Sequence, residues 1–197
     1  MQCAINLPAG AGAMRCGSCL RRPPSFDATV VVSDYAAPLD QLVLALKFGG
    51  QLAVAPLFGQ LLADALRRLP QPQPQWPELL APVPLGKRRL AERGFNQALE
   101  MARPLARSLG LPLAARLLAR ERETAPQSLL TPGERRANLR RAFSLPPAAL
   151  DQVRGRHVGV VDDVLTTGAT LEEIAATLKR GGAVRVTCLA FARTGLR

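Results

Sequence analysis

Residues His157 to Arg180 read HVGVVDDVLTTGATLEEIAATLKR. Val158, Val160 and Val161 form a short β-branched run, the pattern of a buried strand. Two adjacent carboxylates, Asp162 and Asp163, end it. A compact turn follows, Leu165-Thr166-Thr167-Gly168-Ala169-Thr170, and then Leu171, Ile174, Ala175 and Leu178 recur at helical spacing. A loop of this kind at a helix N-terminus presents unpaired backbone N–H groups and the positive end of the helix dipole, which suits a phosphate. Thr166, Thr167 and Thr170 add hydroxyl donors, and Gly168 lets the backbone approach an anion closely. Asp162 and Asp163 would repel that phosphate. They fit ribose hydroxyls or a hydrated divalent metal better. A phosphate beside a sugar diol describes a ribose 5-phosphate.

The block VVDDVLTTGAT resembles the phosphoribosyl-pyrophosphate (PRPP) motif of type I phosphoribosyltransferases, with hydrophobic strand, acidic pair and TTGAT together and in order. The plainer reading of the same residues is a strand–helix turn with a capping threonine and solvated aspartates. A Walker-type ATPase also has a hydrophobic strand ending in Asp, but it needs G-x-x-x-x-G-K-[ST] upstream. Here Gly86-Lys87 is followed by Arg88, and Ala81 stands where the first glycine belongs.

The chain of 197 residues accommodates one α/β domain and a small appendage. A 48% hydrophobic composition supports a full core. No apolar run reaches spanning length, so no membrane insertion is expected. Met1 to Gly17 lacks a basic segment followed by an apolar one, so a signal peptide is not expected and the protein reads as cytoplasmic. The net charge of +11 invites nucleic acid as a partner. Yet lysine stands only at 47, 87 and 179, so the other 23 of the 26 basic residues are arginine, a skew that composition alone can produce. Between Ala81 and Arg141, 13 basic residues face 5 acidic ones, a local excess that suits a ligand as anionic as PRPP. Aromatic residues are 4% of the chain, which leaves few platforms for stacking single strands.

Cys16-Gly17-Ser18-Cys19 is a C-x-x-C knuckle with Cys3 upstream. Thiolates at this spacing bind zinc, but a structural site takes four ligands and only Cys3, Cys16 and Cys19 are local. Cys188, in AVRVTCLAFA, reads as a core residue. Ala28 to Ser33 is an expected strand, Pro38 to Phe48 a helix ended by Gly49-Gly50, and Leu52 to Leu69 a second helix with Pro56 in its first turn. Lys47 is either a partner of the helix dipole or a reach toward the site. Pro70 to Pro77 is linker-like, with Trp76 as its anchor. Glu78 to Pro84 reads as a strand. Lys87, Arg88, Arg89 and Arg93 cluster in an expected loop, before a helix from about Asn96 to Leu109. Four such cations would neutralise a pyrophosphate, or be merely solvated. Leu113 to Arg120 is a strand or short helix, and Pro146 to Gly155 a turn. From Arg120 to Arg141 six Arg and three Glu are interrupted by Pro126 and Pro132, the composition of a lid that opens when the site is empty. The bland alternative is a permanently ordered hairpin or helix.

Together these segments resemble the ComF/GntX-like branch of the type I family, associated with DNA uptake in competent bacteria and with gluconate use. The matching blocks are Cys16 to Cys19, Leu46 to Gly50, Pro82 to Leu85, Arg93-Gly94-Phe95-Asn96-Gln97, scattered positions from Arg120 to Phe143, and the PRPP motif. The resemblance implies a central parallel sheet flanked by helices, residues 25–197, after a partial zinc-ribbon segment, residues 1–24, whose shortness suggests a truncated start. It implies PRPP with Mg²⁺ at the carboxyl ends of the strands. Asp162 and Asp163 would hold the ribose hydroxyls, Thr166, Thr167, Gly168, Ala169 and Thr170 the 5-phosphate, and Leu85, Gly86, Lys87, Arg88 and Arg89 pyrophosphate. Arg120, Gln127 and Arg136 would belong to the lid. Zn²⁺ at Cys3, Cys16 and Cys19 is expected to be substoichiometric. The implied reaction displaces pyrophosphate from PRPP by a nitrogenous acceptor that the residues do not identify. Two other readings stay open, a PRPP-sensing regulator without turnover and a DNA-uptake accessory contacting single-stranded DNA or competence proteins. A homodimer is compatible with each.

Overall fold

Along the organising stretch, apolar side chains alternate between two cores. A computed structural model describes residues 2–5, 15–69, 76–121 and 141–195. In it Val158 and Val160 of β5 (His157–Leu165) join one buried cluster and Val161 joins another. Val186, Cys188 and Ala190 of β6 (Arg185–Arg193) join the first, Leu189 and Phe191 the second. A strand with period-two side chains and apolar residues on both faces must be covered on both sides, which is the condition of a parallel sheet between helix layers.

The sheet has four parallel strands in the order β1-β6-β5-β2, with β1 at Ala28–Asp34 and β2 at Leu79–Pro82. One face is covered by α2 (Leu39–Phe48), α3 (Val54–Arg67) and α5 (Gln97–Leu109), through Leu46, Phe58, Leu62, Met101 and Leu105. Phe58 stacks on Phe191 with ring centroids 3.5 Å apart, which fixes α3 to the sheet. The other face is covered by α7 (Ala169–Arg180), whose Leu171, Ile174, Ala175 and Leu178 are the residues the helical spacing singles out. The short antiparallel pair β3 (Ala119–Arg120) and β4 (Phe143–Ser144) packs on that side. The expected parallel sheet and its flanking helices are therefore present.

Local departures have local causes. The expected Leu113–Arg120 element is divided. Leu113 makes one parallel bridge to Leu80, and only Ala119–Arg120 is a strand. The segment read as a turn, Pro146 to Gly155, holds a 3₁₀ turn at Pro147–Ala149 and α6 (Leu150–Val153). Pro147 opens the turn where its missing N–H costs nothing, and Ala149 and Val153 are buried. Of the linker, residues 70–75 lie outside the described residues, and Trp76 is half-buried. Gln2 docks at the start of β1: its Nε2 donates to Phe26 O at 3.3 Å, just before the strand, and Thr29 Oγ1 donates to Gln2 O at 2.7 Å. Among the described residues no helix is long and apolar enough to cross a membrane.

Helices α3 and α5 approach closely at Gly59. A Cβ there would lie 2.6 Å from Pro104 Cγ, 2.8 Å from Met101 O and 2.9 Å from Leu105 N. Two of these atoms are backbone and cannot turn aside, so overpacking costs on the order of 1–3 kcal/mol. Gly59→Ala is expected to lower the thermal midpoint by several degrees, read by circular dichroism. An unchanged midpoint would mean that the helices are not held at this spacing.

Candidate active site

At the carboxyl end of the sheet lies a cleft of about 700 Å³, where open α/β sheets place their ligands. Its lining includes Asp162, Asp163, Thr166, Gly168, Ala169 and Thr170 from the organising stretch. Leu85, Arg88, Arg89 and Arg120 also line it. Thr167, Gly86 and Lys87 do not. Thr167 and Lys87 are exposed and Gly86 is buried. Gln127 and Arg136, with most of the expected lid, lie outside the described residues.

Strand β5 runs past the acidic pair to Leu165, so the two carboxylates leave the pleat on opposite faces. Asp163, 3% exposed, points to the side of α2, where Lys47 Nζ sits 2.8 Å from its Oδ2. The approach is ionic and not along a hydrogen-bond direction. Asp163 Oδ1 accepts from Val164 N at 2.9 Å. Of the two readings of Lys47, the structure selects the reach toward the site. Asp162 Oδ1 accepts from Asp163 N at 2.9 Å. Burial, and next the charge of Asp163, hold the Asp162 carboxyl well above the usual range, with Lys47 acting against them.

The loop after β5 turns at Gly168, whose φ of 79° belongs to the left-handed region that a Cβ disfavours. The turn sets the amino end of α7, Ala169 to Leu171, on the wall of the cleft. Ala169 N donates to Thr167 Oγ1 at 3.4 Å, a long bond. At the same helix start, Glu172 is tied away from the cleft by Ser25, whose N and Oγ both donate to it at 2.8 Å. A carboxylate that would repel an anion is thereby occupied elsewhere.

The basic segment corrects one expectation. Lys87, Arg88, Arg89 and Arg93 are not in a loop but on α4 (Lys87–Arg93), which ends at Gly94 in the left-handed conformation. Three consecutive cations followed closely by a glycine have the composition of a loop, and here the glycine ends a helix instead. On a helix, residues one turn apart share a face, so Arg89 and Arg93 turn toward the cleft together while Lys87 does not. Arg88 Nε is bound to Glu92 at 2.8 Å. Asn96, near which the helix was expected to begin, caps α5 by accepting from Ala98 N at 3.0 Å, and its Nδ2 donates to Val83 O at 3.0 Å. Arg93 Nη1 donates to Gln97 Oε1 at 2.5 Å, and its guanidinium lies 5.4 Å from the Phe48 ring centroid. Burial lowers the Arg93 pKa, Asp163 opposes that shift, and Arg89 adds to it.

Comparison with known proteins then places the chain. A phosphoribosyl transferase domain model matches residues 96–196. The DNA utilization protein YhgH of Escherichia coli O157:H7 is 40% identical over 190 residues, 96% of this chain and 82% of that protein. Competence protein F of Haemophilus influenzae is 36% identical over 182 residues, 92% of this chain and 79% of that protein. The chain belongs to the ComF-like family of phosphoribosyltransferase-fold proteins. Among solved structures, a glutamine PRPP amidotransferase from B. subtilis aligns at a TM-score of 0.45 and 21% identity, over 70% of this chain and 26% of that one.

The three thiols read as an incomplete zinc site are brought together. The sulfurs of Cys3, Cys16 and Cys19 lie within 4.8 Å of one another, and Cys3 Sγ is 3.5 Å from Cys16 Sγ. That spacing fits three corners of a tetrahedral thiolate site, whose Zn–S bonds are ~2.3 Å. Burial raises Cys16, but hydrogen bonds from the Cys19 backbone and the Cys3 thiol outweigh it and leave its pKa below the ordinary 9.0. Cys19 is pushed up to about 12, by burial first and then by its two thiol neighbours. The remaining Cys and His of the chain, Cys188 and His157, are buried in β6 and β5. The cluster can hold a metal ion but fills three corners of a zinc site. Zinc measured after purification without chelator is expected below one per chain; one tightly held ion would reveal a fourth ligand.

The acidic pair gives a second prediction with a definite sign. Asp162 keeps its proton in the folded chain to a higher pH than its ordinary 3.8. The folded state therefore binds more protons between those two values. The stability this contributes is full below the unfolded pKa and is lost as pH rises through the folded one. Asp162→Asn should remove that loss, so at neutral pH the empty protein melts at or above the wild-type temperature. Asp163→Asn leaves Lys47 without its partner and should cost about 1–3 kcal/mol. Thermal melts of both variants from pH 4 to 8 check this. Equal destabilisation by the two would contradict the asymmetry.

Proposed function

We propose that the protein binds PRPP with Mg²⁺ in this cleft and transfers the phosphoribosyl group to a nitrogenous acceptor, releasing pyrophosphate. The observation that carries the reading is the meeting, in one cleft, of an acidic pair, the amino end of α7 and the cations of α4. Each suits a different part of the same molecule. The first N–H groups of α7, with the Thr166 and Thr170 hydroxyls, suit the 5-phosphate. Asp162 and Asp163 suit the ribose hydroxyls. Arg89 and Arg88 suit the pyrophosphate, as does Arg93.

In the reaction the anomeric C–O bond to pyrophosphate breaks and a C–N bond to the acceptor forms. Pyrophosphate leaves with the electron pair, and the acceptor nitrogen loses a proton. The chain's arginines would stabilise the charge that develops on the leaving group. Carboxylate and hydroxyl oxygens are hard donors that fit Mg²⁺, which in such sites takes one or two carboxylates together with substrate phosphates and water. That ion would neutralise pyrophosphate. Asp162 must be ionised to accept ribose hydroxyls fully, so PRPP affinity is expected to fall as pH drops through its raised pKa.

The names of the relatives tie their roles to DNA utilization and competence, and we extend that physiological setting to this protein. A PRPP sensor would use the same cleft without turnover. Calorimetry with PRPP and Mg²⁺, followed by pyrophosphate release across a panel of bases and amines, separates the two. Binding with release from one acceptor supports transfer, and binding without release supports sensing. Arg89→Ala with Arg93→Ala is expected to weaken PRPP at least tenfold, two charge-assisted contacts being removed. Wild-type affinity in that double variant would sink the pyrophosphate assignment.

A further inference from the structure

The thiol cluster and the cleft are joined by a short stretch of chain. Cys16 immediately precedes α1 (Gly17–Arg21), and Cys19 lies within it. Pro23, Pro24 and Ser25 follow, and the two proline rings fix φ and limit the paths the chain can take. Phe26, 5% exposed, then enters the core cluster that also holds Leu171 and Ile174 of α7. Two consecutive residues staple the ends of this stretch. Cys3 Sγ lies 3.5 Å from Cys16 Sγ, and Gln2 Nε2 donates to Phe26 O at 3.3 Å. Gln2 is itself fixed to β1 by the bond from Thr29 Oγ1. Ser25 is thus placed by the thiols on one side and by a core phenylalanine on the other.

From that position Ser25 grips a residue 147 positions along the chain. Its N donates to Glu172 Oε2 and its Oγ to Glu172 Oε1, each at 2.8 Å, so both oxygens of the carboxylate are engaged. Glu172 stands in the first turn of α7. Helical side chains lean toward the amino end of their helix, so a released Glu172 would lie over that first turn. An anion is favoured there. A free carboxylate and a ligand phosphate would then compete for the same end of the dipole and the same N–H groups. With Glu172 gripped, Ala169, Thr170 and Leu171 line the cleft and Glu172 does not.

Resting on the PRPP reading of this cleft, we infer that Glu172 is a built-in competitor for the 5-phosphate, and that the N-terminal thiol segment sets PRPP affinity by holding it aside through Ser25. Ser25 is a positioning residue, since it acts on the ligand only through Glu172. The thiols act in turn only through Ser25. A change that loosens the staple lowers phosphate affinity, and does so only while position 172 carries its charge. The segment is a working part of the cleft and not an appendage to it.

The test uses the full chain and calorimetry with three probes: PRPP with Mg²⁺, ribose 5-phosphate and inorganic phosphate. Ser25→Ala, which removes one of the two donors, should weaken each probe about fivefold, the scale of one charge at a helix end. Ser25→Thr keeps both donors and should bind like the wild type. Glu172→Gln keeps an acceptor for Ser25 and removes the charge, so it should bind at wild-type strength or tighter. Adding Ser25→Ala to Glu172→Gln should then change affinity by less than about twofold, the signature of two residues that act as one. Cys3→Ser with Cys16→Ser should weaken the probes at least about threefold in the wild-type background, and leave the Glu172→Gln background unchanged. A thermal melt on each variant identifies those that fold, and Cys3→Ser alone, at a partly exposed thiol, carries the thiol arm if the double variant does not. Wild-type affinity in Ser25→Ala or in the thiol variant overturns the inference. So does an equal loss from Ser25→Ala in both backgrounds, which is what a merely structural bond would give. PRPP binding without this pattern removes the competitor and leaves the PRPP reading standing. Inorganic phosphate showing the pattern while PRPP and ribose 5-phosphate fail to bind removes the PRPP reading and leaves the competitor standing.

Discussion

Lys47 reaches from the last turn of α2 to Asp163 at 2.8 Å, and the arrangement of the cleft follows from that contact. Asp163 is almost fully buried, and a carboxylate there needs a cation or its proton. The pair meets this need and fastens the carboxyl end of α2 to the end of β5. Phe48 and Gly50 are thereby brought to the cleft. Asp162, one residue away, faces the other side of the sheet and forms no ion pair among the described residues. Burial, and next the charge of Asp163, raise its pKa against the pull of Lys47. One carboxylate is satisfied within the protein, and the other is left for something that enters.

The basic residues follow a related logic. Arg89 and Arg93 share a face of α4, and burial first and then Arg89 lower the pKa of Arg93, while Asp163 favours its charge. A polyanion entering the cleft would relieve that repulsion. Glu172 could oppose this at the start of α7, and Ser25 holds it aside with two bonds. The carboxyl end of the sheet thus gathers charges of both signs, against a core whose apolar residues lie on both faces.

The fold was legible where the pattern is local. Strand β5, the Gly168 turn and α7 form one continuous stretch, and alternation followed by helical spacing reads directly from it. The acidic pair and the threonine loop could be placed for the same reason. Lys47 could not be assigned, because its partner lies far along the chain and nothing in LKFGG names it. Phe48 was visible only as part of a matching block, since an exposed phenylalanine at a helix end reads like any other until the cleft is seen. The α4 residues were found but given the wrong conformation, because charge density resembles a loop and Gly94 can either belong to a loop or end a helix. A positive φ decides between those, and sequence does not carry it. Gln127 and Arg136 fall outside the described residues, so the lid stays an expectation.

The block Arg93-Gly94-Phe95-Asn96-Gln97 shows why five adjacent residues can be so specific together. Gly94 ends α4, and Asn96 begins α5 by accepting from its first amides while donating to the end of β2's following residue, Val83. The turn between two helices is thereby pinned to the sheet. Pinning gives Arg93 and Gln97, on either side of the turn, a fixed separation and lets them bond at 2.5 Å. Arg93 then spends its flat face on Phe48 from a different helix. Each residue is needed for the next. Without the glycine the helix overruns, without the asparagine the turn drifts, and without the turn the arginine cannot reach both glutamine and ring. The constraint is geometric before it is chemical, and it is the reason a short motif far from the acidic pair belongs to the same cleft.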